Sequence, residues 1–140
     1  MNIKHVIFDE NSFGITQRSL KILRDTLARG IDQHIAVIEV PTNDICCGYF
    51  ILNKDTGIAT FTGDGFRTDG GGEGGAGYRS AQAILNLFNI RALSTRPVNI
   101  EEIYRGHTES VRETLLTLVR EIEKSLEDDD FVRPSDGAPR

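Results

Sequence analysis

Segment 62–80, TGDGFRTDGGGEGGAGYRS, carries eight of the chain's 14 glycines and lies between an apolar run that reads as a strand and an apolar stripe that reads as a helix. Glycine lets backbone amides come close to a ligand, and the first turn of a helix adds unpaired N–H groups at the positive end of the helix dipole. A strand-to-helix turn of this kind can cradle phosphate. Arg67 and Arg79 flank the glycines, and no lysine occurs between Lys54 and Lys124, whereas Arg67, Arg79, Arg91, Arg96, Arg105 and Arg112 all do. Guanidinium groups make bidentate contacts to phosphate or carboxylate that ammonium groups cannot.

These residues predict a ligand site with divided roles. Gly72, Gly74, Gly75 and Gly77 supply amides, with Arg79 and Ser80 beside them at the start of a helix over about 79–89. Arg67 clamps the phosphate, Asp69 and Glu73 accept ligand hydroxyls, and Tyr78 stacks on a base. Gly72, Gly74 and Gly77 satisfy G-x-G-x-x-G literally, but the preceding hairpin is antiparallel and no second parallel strand ending in an acid follows, which argues against a dinucleotide-binding unit. Gly72 to Gly77 also has the glycine spacing of a P-loop, yet Tyr78, Arg79 and Ser80 follow where Lys and Ser or Thr are needed. The expected function is non-catalytic capture of a phosphate-bearing, nucleotide-like molecule by a sensor, regulator or sequestering protein.

Two other classes compete. An assembly subunit would use an amphipathic helix over 110–126 as a homo-oligomer seam and the glycine-rich loop as a partner contact. A Mg-dependent phosphoryl-transfer or hydrolytic enzyme would use Asp9, Asp64, Asp69 and Glu73 to hold the metal and activate water. Nothing beyond these carboxylates is dedicated to catalysis, since no His or Cys lies near the segment in sequence and Ser80 has no evident base. No cofactor is expected apart from Mg²⁺ accompanying a nucleotide. The glycine run also has a purely structural reading, as a flexible linker or surface loop.

The composition limits the partners. The net charge is −5, but five acids and two bases fall in 127–140, so the first 126 residues are nearly balanced. Duplex binding normally draws on several excess cations, so bulk nucleic acid is not an expected partner. The tail EDDDFVRPSDGAPR holds one large apolar side chain and two prolines, and is expected to be disordered. No apolar stretch is long enough to span a membrane and no secretory leader pattern is present, so a cytoplasmic protein is expected. Cys46 and Cys47 are adjacent and read as reduced thiols. His5, His34 and His107 show no metal-ligand spacing.

The elements that must position the site follow from periodicity. Residues 3–9 read as a strand. Leu20, Leu23 and Leu27 recur at helical spacing over 16–29, with Thr16 as expected N-cap and Gly30 at the C-terminal stop. Residues 34–40 alternate as a strand, and the runs 45–53 and 58–62 form a hairpin in which Gly57 suits a left-handed position. Asn99 with Glu102, and Ser110 with Glu113, match capping boxes for a short helix through Tyr104 and a longer one over 110–126. The resulting order is β-α-β-β-β-α-α-α. It predicts a single α+β domain over 1–126, with a mainly antiparallel sheet of three to four strands and helices packed on one face.

Overall fold

The computed structural model describes residues 3–94, 108–128 and 133–134. The hairpin signal around Gly57 fixes the centre of the sheet. Strands β3 (Cys46–Asn53) and β4 (Ile58–Phe61) pair antiparallel with Asn53 opposite Ile58, and Gly57 adopts φ +72° between them. β2 (Ile35–Pro41) pairs antiparallel along the other edge of β3. β1 (His5–Phe8) lies parallel to β4 and sets Ile7 beside Thr60. β5 (Phe66–Arg67) pairs with the start of β3, β6 (Leu93–Ser94) runs parallel to β2, and β7 (Arg133–Pro134) pairs antiparallel with β6. The path is β1-β4-β3-β2-β6-β7, with β5 attached to β3.

The fold is α+β, as the element order implies, but the sheet is mixed and has more strands than expected. Parallel pairs need crossovers, and the chain supplies one through α1 (Thr16–Arg29) before β2 and another through α2 (Gly72–Leu87) before β6. Strands β5, β6 and β7 have two residues each, too few to carry an alternating pattern. The expected short helix ending at Tyr104 lies outside the described residues. The tail differs from expectation where it is described: α3 (Thr108–Asp128) reaches Asp128, and Arg133–Pro134 pairs with Leu93–Ser94.

Helices cover both faces of the sheet rather than one. On one face Leu115, Val119 and Ile122 of α3 pack on Ile3, Val6, Ile38, Val40, Phe50, Leu52, Ala59 and Phe61. On the other, Leu23 and Leu27 of α1 and Ala81 and Leu85 of α2 pack on Val37, Cys47, Tyr49, Ile51 and Phe66. The reason lies in β3, which is buried continuously from Cys47 to Leu52, so both of its faces need an apolar cover. The apolar stripe of α3 thus packs on the sheet, the simpler of its two expected uses, the other being an oligomer seam. No helix among the described residues is long and apolar enough to cross a membrane.

Two-faced burial predicts paired costs. Leu115→Ala on one face and Leu85→Ala on the other should each lower unfolding free energy by about 2–5 kcal/mol. Leu87→Ala, at an 85% exposed position, should stay within about 0.5 kcal/mol. Urea denaturation of the three variants checks this, and a near-neutral Leu85→Ala would remove α2 from the core.

Candidate functional site

α2 begins at Gly72, earlier than the apolar stripe suggests, and Gly71 is its N-cap with no side-chain bond. Asp69 organises the turn before it. The carboxylate accepts Arg67 Nε at 3.1 Å and Nη2 at 2.6 Å, and its Oδ1 also accepts the Gly71 N–H at 3.0 Å. The Arg67 fork, and after it the Gly71 amide, hold Asp69 below the ordinary carboxylate range. Asp69 therefore already occupies the position, relative to Arg67, that the sequence reading gave to a phosphate.

The other expected site residues scatter. Gly72 and Glu73 are exposed in the first turn, while Gly74, Gly75 and Gly77 are buried within the helix. Gly75 N–H donates to the Gly71 carbonyl at 2.8 Å, so its amide closes the first helical turn. Arg79 and Ser80 are exposed on the second and third turns instead of at the helix start; Arg79 Nη1 reaches back to the Gly70 carbonyl at 3.5 Å. Tyr78 turns toward the sheet, and its hydroxyl donates to Glu39 Oε1 at 2.7 Å.

Close packing accounts for the buried glycines. A Cβ at Gly75 would collide with the backbone of Gly70, and one at Gly77 would collide with the methyl group of Thr16. Thr16 cannot swing aside freely, because it is buried and its hydroxyl donates to the Gly65 carbonyl at 2.6 Å. That bond also explains why Thr16 does not cap α1: Ile15 is the N-cap, without a side-chain bond. The segment is a tightly fitted helix start and not a flexible linker.

Two polar clusters went unread in the sequence. Glu39, 8% exposed, accepts Tyr78 and, at 3.2 Å, Tyr49, whose hydroxyl in turn accepts Gln82 Nε2 at 2.9 Å. Burial pushes the Tyr49 phenol well above its ordinary value. The signal was a lone acid within HIAVIEV. Asp64, also 8% exposed, accepts the Gly14 N–H at 2.9 Å and the Thr42 hydroxyl at 3.2 Å, joining three loops. Asp9 caps a single 3-10 turn (Glu10–Ser12) by accepting the Asn11 N–H at 2.9 Å. Asp9, Asp64, Asp69 and Glu73 do not converge, and no group of three His, Cys, Asp or Glu side chains arranged for a metal occurs among the described residues.

The concave site lies elsewhere, between α1 and the β1–β4 pair. A cavity of about 530 Å³ has Ile7, Phe8, Ile22 and Thr60 on its walls and Arg18, Lys21 and Arg29 among its charged lining. It exists because α1 and α2 lie together over the β3 and β5 part of this face, leaving Ile7 half exposed at 52%. Arg18, Ile22, Thr26 and Arg29 recur at helical spacing and form a second stripe on α1. Asp25 accepts Lys21 at 3.3 Å and Arg24 at 3.4 Å, which hold it below its ordinary range. Arg18 and Arg29 have no acidic partner among the described residues. In the wall of the cavity, Thr26 Oγ1 is buried without a hydrogen-bond partner. Comparisons with protein-family models, with curated proteins and with solved structures find no match for this chain.

The packing account of the glycines makes a prediction opposite in sign to helix propensity, which alone favours Ala over Gly by about 1 kcal/mol. Gly75→Ala should destabilise the protein by about 1–3 kcal/mol through overpacking. A neutral or raised midpoint in thermal unfolding would restore the loop reading.

Proposed function

We propose that the protein is a non-catalytic binder of a small phosphate-bearing molecule, held in the groove between α1 and β1–β4, and that it serves as a sensor or sequestering protein for that molecule. One observation carries this reading: a cavity of about 530 Å³ with apolar walls is lined by two arginines, Arg18 and Arg29, that no acid neutralises among the described residues. The volume lies in the range of small-molecule sites, which are mostly apolar with a few charged or polar groups for orientation. Planar guanidinium groups suit a tetrahedral anion.

The groove also holds two acids, which leave its lining with a small positive excess carried by Arg18 and Arg29. Asp25 is taken by Lys21 and Arg24, and Asp9 caps its turn. At the glycine-rich junction, by contrast, a phosphate would first have to displace Asp69 from both Arg67 and the Gly71 amide. The expected ligand chemistry is therefore kept and its location moved.

Calorimetry with a panel of phosphate monoesters tests the proposal. At least one should bind the parent protein, and the double variant Arg18→Glu/Arg29→Glu should abolish binding while Arg79→Glu retains it. Thr26→Val should raise the stability of the free protein by about 1 kcal/mol, because an unpartnered hydroxyl is exchanged for a methyl group, and should weaken binding. Binding that survives the groove variant and disappears in Arg67→Glu would return the site to the glycine-rich junction.

A further inference from the structure

The groove does not end at Arg29. A second, smaller recess of about 200 Å³ borders it and shares Ile7, Thr26, Arg29 and Thr60 with the main cavity. Beyond those shared residues its apolar walls are Ile35, Ile51 and Ile58. At its far side Asn53 Nδ2 donates to Gln33 Oε1 at 2.7 Å, so these amides are directed at each other.

The side-chain types of this chamber discriminate between ligand classes. Sites that hold a nucleobase usually present an aromatic ring or a guanidinium plane for stacking. The smaller recess has no aromatic residue in its lining, and four isoleucines supply its apolar surface. The groups able to stack, Phe8 and the guanidinium planes of Arg18 and Arg29, line the main cavity, Arg29 being shared by both. Branched aliphatic walls complement a flexible hydrocarbon, and each methylene removed from water contributes to affinity independently of direction. Arg29, at the neck, can line the passage with its methylenes while its charged end stays at the rim.

Resting on the groove reading above, we infer that the ligand is a single-chain anionic amphiphile. Its phosphate head lies by Arg18 and Arg29, and its aliphatic chain passes Ile7 and Thr60 into the chamber walled by Ile35, Ile51 and Ile58. The shared chemistry with a simple phosphate ester is the head; the chain is what the inference adds.

Isothermal titration of the full chain with decyl phosphate below its micelle concentration, ethyl phosphate and adenosine monophosphate separates these claims. Decyl phosphate should bind one per chain and at least tenfold more tightly than the other two. Ile58→Phe should remove most of that advantage and leave ethyl phosphate unchanged. Ile35→Asn, which lines the smaller recess and not the main cavity, should do the same and serves if Ile58→Phe fails to fold. Equal affinity for all three probes would overturn the amphiphile and leave the phosphate site standing. Decyl phosphate binding that is multiple, or that persists in Arg18→Glu/Arg29→Glu, would be detergent-like adsorption and would also overturn it. Failure of every probe would overturn the groove reading itself.

Discussion

The close approach of α1 and α2 is the contact on which the rest of this face depends. It is made where Gly77 meets the methyl group of Thr16, and it is set up by the turn before α2, where Gly75 sits against the backbone of Gly70; neither glycine has room for a Cβ. Each glycine within a helix costs roughly 0.8–1 kcal/mol relative to alanine, so α2 carries an intrinsic penalty across its first two turns. Burial of Ala81 and Leu85 beside Leu23 and Leu27 offsets it. The geometric consequence is as important as the energetic one. Drawn together over β3 and β5, the two helices leave Ile7 of β1 half exposed on that face, and the basic second stripe of α1 becomes the wall of a groove.

Polar groups are arranged so that the crowded junction is neutralised from within. Asp69 answers Arg67 and the Gly71 amide, Asp64 joins the loops at Gly14 and Thr42, and Glu39 fixes Tyr78 and Tyr49 between α2 and the sheet. Buried carboxylates are tolerated when their oxygens find donors. The groove departs from this pattern. Within its lining, Arg18 and Arg29 have no acidic partner and the buried Thr26 hydroxyl has no hydrogen-bond partner among the described residues.

Much of the fold was legible where periodicity is strong. α1 spans the interval that its leucines mark, the β3–β4 hairpin turns at Gly57, and the stripe of α3 packs through Leu115, Val119 and Ile122. The run ICCGYFIL also signalled a strand buried on both faces, but it was read as part of a sheet covered on one side. The start of α2 was hidden because glycine disfavours helix in isolation, and only the tertiary fit against Thr16 and Gly70 reverses that preference. The groove was hidden for a different reason. Arg18, Ile22, Thr26 and Arg29 have visible helical spacing, yet a charged stripe reads as a solvated face until β1 and β4 are placed beside it. For Tyr78 the residue type fits both base stacking and core packing, and in the second turn of α2 its hydroxyl meets Glu39.

The central claim is that ligand chemistry resides in the α1–β1–β4 groove and not at the glycine-rich helix start. Two-dimensional NMR of the isotope-labelled protein, titrated with a phosphate monoester, tests it most directly. The account predicts saturable shifts for the methyl groups of Ile7, Ile22 and Thr26 and for the side chains of Arg18 and Arg29, with the amides of Gly70 to Gly75 unmoved. Shifts concentrated at Gly70 to Gly75 and Arg67, with the groove methyls unchanged, would contradict it.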